Sequence, residues 1–370
     1  MKSDAIIVGG GIIGAACAYE LAKNGLKVKV FDACLRNATS SGMGHLVNMD
    51  DLEPEFNLSS WSIKIWHQLG KILPEQCAYK KIPTLWLAKD SKEVQIAQEK
   101  YTRLIEKGIE CKLLDSSELY IEAPYLRPGL LGALQVFDDG IVYAPCVAEW
   151  FLRQYPDLIE IEYKKVTHIL DYKVCLEDGE SHDAEFIIVA NGIDVNNFFP
   201  ELCIEPKKGH LAITDRYPEI QLNNTLVSLA YAANAHLTSG TTVACNIQPR
   251  PTGQIFLGSS RQFDTTDPTI DMNILAEVIR ENLEYFPGLE DLNIIRAWTG
   301  FRAATQDGIP IIGPHPKFKS IYLAVGHEGL GVTTATGTAK LISSYICKTE
   351  AGIDGTPFLP NRIFNGDQRL

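Results

Sequence analysis

The sequence predicts an α/β protein in two parts: a nucleotide-binding domain assembled from three separate stretches, and a β-rich domain inserted into it twice. Three observations predict this. A strand, a glycine-rich turn, a helix and a second strand open the chain. Two more buried-strand runs, residues 185–190 and 321–325, recur in the middle and near the end, each running into a glycine. The stretches between them are strand-rich, with Gly and Pro punctuation. The expected boundaries are residues 1–78, 145–205 and 297–370 for the first domain, and 79–144 and 206–296 for the second. A length of 370 residues accords with roughly two domains at about 100–200 residues each.

Taken in order, residues 5–8 (AIIV) form a continuous apolar run, the mark of a strand buried on both faces. Residues 12–24 follow helical periodicity and stop at Gly25. Residues 27–31 alternate as a strand that closes on Asp32. Residues 37–51 are too rich in Ser, Gly and Asn for a regular element, and helical periodicity resumes over 58–73. A strand at 84–88 and helices at 90–107 and 147–155 follow. Strands are expected at 159–169 and 173–176, and helices at 272–284 and 333–346.

The pattern Gly9-x-Gly11-x-x-Gly14 sits between two strands and opens a helix. Gly9 permits the tight turn, Gly11 lets a pyrophosphate approach the backbone, and Gly14 lets helix and strand pack closely. The N–H groups at the helix start, around Ile12 and Ile13, face the phosphates. Asp32, beside Ala33 at the end of the second strand, is placed to accept ribose hydroxyls, and its charge disfavours a 2′-phosphate. This turn alone does not separate FAD from NAD. A second loop does so: His327, Glu328, Gly329, Leu330, Gly331, Val332 and Thr333 lead from a strand into a helix. That helix start suits the negative charge of a reduced flavin, and a second loop is natural for a molecule as long as FAD.

Composition excludes several classes. Apolar residues at 45% and charged residues at 22% describe an ordinary globular chain. A net charge of -12 without a basic run argues against nucleic acid and anionic membrane as partners. No apolar stretch of about 18 residues is present, so no membrane span is expected. Nine scattered cysteines, none in a C-x-x-C pair, point to reduced thiols in a cytoplasm and to no metal site.

These segments carry a likeness that covers residues 5 to about 346. The opening unit, Thr39-Ser40-Ser41-Gly42-Met43-Gly44, and the runs 184–192 (AEFIIVANG), 206–210 (PKKGH), 298–314 (WTGFRAATQDGIPIIGP) and 326–331 (GHEGLG) together resemble the D-amino-acid-oxidase-like flavoenzymes. That family includes glycine oxidase, sarcosine oxidase and D-amino acid dehydrogenases. The resemblance implies a Rossmann-like FAD-binding domain and an α+β substrate domain on a mainly antiparallel sheet. It also implies that Ser40 and Ser41 lie along the pyrophosphate and ribitol, and that Val166 meets the adenine through its backbone. Met43, Gly44, His45, Ala190, Gly192, Gly300 and Arg302 then join the cofactor contacts. Lys208-Gly209-His210 stands where the family often has Arg-Gly-Gln, and no cysteine matches a covalent flavin attachment, so the FAD is expected to be non-covalent.

The activity so implied is oxidation of the Cα–N bond of a small amino acid, by hydride transfer from Cα to flavin N5, giving an imine that hydrolyses. The run 42–51 looks most like that of D-hydroxyproline dehydrogenases, which favours a D-configured or cyclic secondary amino acid. The alternatives are a glycine- or sarcosine-type oxidase using oxygen, or the FAD subunit of a hetero-oligomeric dehydrogenase; a homo-oligomer is also compatible. A non-catalytic FAD-binding module is the reading from another class.

Arg302 is the candidate clamp for the substrate carboxylate, because a guanidinium fork fixes orientation as well as charge. An interdomain ion pair is its bland alternative. His45 and Met49 are candidates for the reacting face, against simple packing. Tyr231 and Arg250 either line the pocket or lie on the surface. Asp50-Asp51 reads as a loop turn and not a metal site.

Overall fold

The computed structural model describes residues 3–35, 37–49, 51–230, 240–263 and 265–364. Strand Ala5–Val8 pairs in parallel with Val28–Phe31 on one side and Phe186–Val189 on the other. All three are buried or nearly so, as a parallel sheet covered on both faces requires, and apolar except for Lys29, which pairs with Glu160 and Glu162 on the neighbouring strand. Ile159–Glu162 and Ile321–Val325 extend the sheet in parallel, and Ile311–Pro314 closes one edge antiparallel to its neighbour, making six strands. Helices Ile12–Lys23 and Gly331–Cys347 pack against each other, and Glu53–Leu69 packs on the latter. Their apolar faces form one core with the sheet, including Ala15, Leu21, Trp66, Leu341 and Ile342.

The second sheet has eight strands, in the order Ile294–Ala304, Glu205–Thr214, Ile255–Gln262, Thr241–Pro249, Thr225–Ser228, Thr84–Ala88, Gly132–Val136 and Cys111–Asp115. Its pairings are antiparallel except between Thr225–Ser228 and Thr84–Ala88. Helix Met272–Tyr285 covers one face through Leu275 and Tyr285, packed on Cys245, Ile247 and Leu257. The opposite face carries Leu211, Phe256 and Trp298, against which Met43 packs. That face therefore meets the nucleotide-type domain.

The structure differs from the sequence reading in several places. Ile294–Ala304 pairs along its length with Glu205–Thr214, so the boundary expected at 296/297 falls inside a strand of the large sheet. Within 37–51 a short helix forms at Ala38–Ser41, capped by the Asn37 side chain on Ser40 N, and His45–Leu46 pairs with Gly140–Ile141. The helix expected at 58–73 is Glu53–Leu69. It starts early because Pro54 and two acids suit a first turn, and it stops at Gly70, where a side chain would overlap the Tyr79 ring. The long strand expected at 159–169 is two strands in different sheets, Ile159–Glu162 and Val166–Leu170. The last helix starts at Gly331. Tyr231 and Asp50 lie outside the described residues. No helix among the described residues is long and apolar enough to cross a membrane, and all nine cysteines are free thiols.

Candidate active site

The glycine turn is built by backbone proximity. Gly9 has φ +105°, and a Cβ there would come within 2.6 Å of the Ala190 carbonyl oxygen. A Cβ on Gly14 would overlap the Gly9 carbonyl oxygen, which is why helix and strand can lie so close. The helix beginning at Ile12 has no side-chain cap at Gly11, and its first N–H, that of Ile12, donates to Thr39 Oγ1 at 2.9 Å. Asp32 accepts from Gly10 N at 2.6 Å and from Cys34 N at 2.6 Å, so its carboxylate is fixed at the turn's rim. Ala33 beside it is exposed, and Val166 and Ala190 are buried.

The Ser-rich loop lies against the large sheet. Trp298 Nε1 donates to Ser41 O at 3.0 Å, and a Cβ on Gly300 would overlap the Ser41 side chain. Arg302, two residues further along the same face, donates from Nη1 to Ser260 O at 3.0 Å. Among the described residues it makes no direct ion pair. The structure thus brings Ser41, Gly300 and Arg302 together.

The loop at 326–331 closes the same region. Helix Gly331–Cys347 begins with no side-chain cap and no acid in its first turn, leaving an open N-terminus. The Thr333 hydroxyl donates to His45 O at 3.0 Å. His327 is buried, and its Nε2 meets Thr338 Oγ1 at 3.0 Å; burial drops its pKa to about 3. The ring is therefore neutral and committed to the helix, and its backbone remains for the loop. Glu328 takes φ +45° and accepts Gly329 N at 2.7 Å. Burial pushes its carboxyl up, and the charges of Arg261 and Arg302 more than offset this, so its pKa is lowered.

His45 and Met49 have different surroundings. Met49 packs in an apolar cluster with Val47, Trp86, Val227 and Leu330. His45 Nε2 meets Thr84 Oγ1 at 2.9 Å, and burial lowers its pKa to about 4, so the ring is neutral above pH ~5. Behind it lies a network absent from the sequence reading. Thr84 also supports Asp139, which accepts from Asn48 N and Nδ2, both at 2.9 Å. Lys100 stands near, its Nζ 4.6 Å from the Trp86 ring centre. These residues anchor the 45–49 loop from below.

Burial pushes the Asp139 carboxyl up to about 6, opposed by Asn48, Thr84 and the Lys100 charge. A carboxyl raised in the folded state stabilises fully below its unfolded pKa of about 4, and loses that stability as the pH rises through its folded pKa. Asp139→Asn removes this titration. The thermal midpoint of the wild type relative to the variant is therefore expected to fall between pH ~4 and ~6 and then level off. A difference constant across that window would show that Asp139 titrates as in water.

Arg250 is buried, not on the surface. It is 8% exposed, donates to Gln248 Oε1 at 3.0 Å and lies 5.2 Å from the Phe256 ring centre; burial lowers its pKa to about 10. Its reach to Met43 O, at 3.4 Å, ties the sheet to the Ser-rich loop. Asp51 is electrostatically coupled to Glu55 and is more than a solvated turn residue. The acid and histidine grouping Glu162, Glu180 and His182 is met by Lys29 and Lys164, at 2.6 Å from Glu162 and Glu180 respectively.

With this geometry in view, the comparisons are consistent. The family model described as FAD dependent oxidoreductase (DAO) matches residues 4–345. The chain belongs to the FAD dependent oxidoreductase family. Glycine oxidase of Bacillus licheniformis is 27% identical over 93% of each chain. Hydrogen cyanide synthase subunit HcnC of Pseudomonas aeruginosa is 22% identical, covering 97% of this chain and 96% of its own. The crystal structure of L-proline dehydrogenase from P. horikoshii superposes with a TM-score of 0.87 at 22% identity, over 100% of this chain and 99% of that one; at that identity it bears on the fold alone.

FAD is accordingly the cofactor of this oxidoreductase, and the residues present fit it. The Gly9–Gly14 turn leads into a helix start with no cap from Gly11 itself; Thr39 holds the Ile12 N–H, and glycine at position 11 leaves the backbone open to a pyrophosphate. A second helix start, uncapped, at Gly331, faces the same domain junction. Buried polar atoms without hydrogen-bond partners among the described residues lie on the sheet face opposite: Trp86 Nε1, Thr225 Oγ1, Asn246 Oδ1 and Gln248 Nε2. Such atoms call for a polar ligand or water.

Proposed function

We propose that this flavoenzyme oxidises the Cα–N bond of a small amino acid, with a secondary amine favoured over a primary one. The observation that carries the reading is Arg302: a guanidinium with no direct ion pair among the described residues, on the sheet face where Gly300 touches Ser41. A carboxylate held there in a fork would be fixed in orientation. Bound FAD supplies the two-electron acceptor. The protein's part is positioning: Arg302 orients the substrate, Met49 and its apolar neighbours exclude water, and neutral His45 offers a hydrogen bond without adding charge. In this reading the Gly9–Gly14 turn takes the pyrophosphate, Asp32 the ribose and the Val166 backbone the adenine.

The likeness of residues 42–51 to D-hydroxyproline dehydrogenases supports a D-configured or cyclic secondary amino acid. A secondary nitrogen is more electron-rich and yields a stabilised imine. The name of HcnC, a subunit, supports transfer of electrons to a partner or carrier in place of oxygen. The test is an anaerobic screen of D-, L- and N-methyl amino acids for bleaching of the flavin absorbance, followed by turnover with oxygen and with a dye. Bleaching by a secondary amino acid and faster turnover with the dye are expected. Absence of bleaching by every amino acid would end the reading. Rapid stoichiometric hydrogen peroxide would make the chain an oxidase.

A further inference from the structure

The orphaned polar atoms Trp86 Nε1, Thr225 Oγ1, Asn246 Oδ1 and Gln248 Nε2 share one face of three adjacent strands, as the register shows. Thr225 pairs with Thr84, whose hydroxyl meets His45 Nε2 at 2.9 Å, so both lie on the face that meets the Ser-rich loop. Leu226 pairs with Ile247, which sets Thr225 beside Gln248 in the same row. Gln248 in turn pairs with Phe256, part of the cluster against which Met43 packs. The next row runs Trp86, Val227, Asn246 and Gly258. Val227 packs with Met49 and Leu330, and a Cβ on Gly258 would stand 3.1 Å from the Met43 sulfur. The orphaned atoms therefore lie under the Ser-rich loop and the glycine loop together.

Their place relative to Arg302 follows from the same register. Arg302 Nη1 donates to Ser260 O, and Ser260 stands two residues from Gly258, the partner of Asn246. With strands about 4.8 Å apart and a rise of about 3.3 Å per residue, Ser260 and Asn246 are about 8 Å apart along the backbone. A small amino acid with its carboxylate at Arg302 spans that gap.

The chemistry of the four atoms selects what they bind. Thr225 and Gln248 are fully buried and Trp86 nearly so, so an unmade bond there is costly. Gln248 gives its Oε1 to Arg250 at 3.0 Å, which leaves its Nε2 hydrogens for a ligand. Trp86 Nε1 can only donate, Asn246 Oδ1 can only accept, and the Thr225 hydroxyl does either. A carboxylate would face Asn246 Oδ1 with no hydrogen to give. An ammonium would leave the Gln248 and Trp86 donors unmatched, and a methylene would leave every atom unmatched. A hydroxyl gives one hydrogen bond and accepts two. Water has the same capacity in the empty site; a substrate hydroxyl reproduces its bonds, and an apolar substrate does not.

Resting on the amino-acid reading with Arg302 as carboxylate clamp, we propose that Thr225, Asn246 and Gln248 form a subsite for a hydroxyl on the substrate's ring or side chain. Trp86 borders it two strands from Asn246 in the same row. The preferred substrates are then small hydroxylated amino acids, and these residues act on specificity by positioning the substrate.

The test compares substrates that differ by one hydroxyl, on the FAD-loaded full chain. The pairs are 4-hydroxyproline with proline and homoserine with 2-aminobutyrate, each in the configuration that bleaches the flavin; glutamate supplies an anionic arm. In the better pair, kcat/KM for the hydroxylated member should exceed that of its partner by about a hundredfold, because the deoxy compound leaves buried groups unpaired. Thr225→Val replaces the hydroxyl by a methyl group and should lower this ratio by about tenfold, while Thr225→Ser should retain it. The Thr225 hydroxyl has no partner among the described residues, so the thermal midpoint of Thr225→Val should not fall. Asn246→Leu should lower the ratio as well, and carries the comparison if Thr225→Val misfolds. A role in folding alone would lower kcat/KM for both members of a pair alike. Equal kcat/KM within both pairs, a ratio unchanged in both variants, or a preference for glutamate overturns the inference. If amino acids are oxidised without preference for the hydroxyl, only the subsite falls. If no amino acid bleaches the flavin, the subsite and the amino-acid reading fall together.

Discussion

The Gly14→Ala variant is expected to be purified without FAD. Its methyl group would overlap the Gly9 carbonyl oxygen, and Gly9 cannot retreat, because its own φ of +105° and its contact with the Ala190 carbonyl fix it. Relief would have to come from moving the first helix off the sheet, where Ala15, Ala18 and Leu21 are fully buried. Overpacking a well-filled core costs about 1–3 kcal/mol, and here the obstacle is backbone. Gly11→Val separates the fold from the ligand. A Cβ there meets only Thr39 Oγ1, at 3.1 Å, so the protein should fold, while the branched side chain fills the pyrophosphate's approach. FAD affinity should fall by about a hundredfold or more in Gly11→Val, with a thermal midpoint of the apo form close to that of wild type. The wild type, as control, should release intact FAD on denaturation without proteolysis. Stoichiometric FAD in Gly11→Val would mean that the pyrophosphate lies elsewhere, and flavin retained after denaturation would mean a covalent link.

Arg302→Met should lower kcat/KM for the best amino acid by about a hundredfold or more, with FAD content unchanged. A charge-assisted hydrogen bond is worth about 1.5–3 kcal/mol, a fork makes two, and a misplaced substrate loses more through orientation. Arg302→Lys keeps the charge without the fork and should lose about tenfold. The methionine variant retains the volume over Gly209, where the guanidinium now sits within 2.9 Å of an added Cβ position, so a simple packing defect is minimised. Amines without a carboxylate should respond to neither substitution. Wild-type efficiency in Arg302→Met would make its bond to the Ser260 carbonyl the whole of its role.

Much of the nucleotide-type domain was legible because it is local. The run AIIV must be buried on both sides, Gly25 ends the first helix, and Ile321–Val325 matches its observed strand residue for residue, as Thr84–Ala88 does in the large sheet. Boundaries failed where a distant partner decided them. Residues 45–46 became a strand because 140–141 lies beside them, and 166–170 left the 159–162 strand for another sheet. Arg250 shows the limit for single residues: nothing adjacent in sequence says that Gln248, Phe256 and Met43 O surround it.

The sequence by itself determined the FAD family, the glycine turn with its acid, the open second helix start and the candidate status of Arg302. The turn and the helix start depend on spacing within a few residues, where backbone geometry is dictated by glycine, cap and strand periodicity; the family and the candidacy of Arg302 rest on a likeness spread over residues 5 to about 346. Only the tertiary structure decided which face of the large sheet meets the Ser-rich loop, that His327 turns into its helix, and that Arg261, Glu55 and Glu328 share one place. Charges and pKa shifts arise from neighbours a few ångströms away in space. Asp51, Glu55, Arg261, Arg302 and Glu328 become such neighbours only when two sheets and two loops have docked.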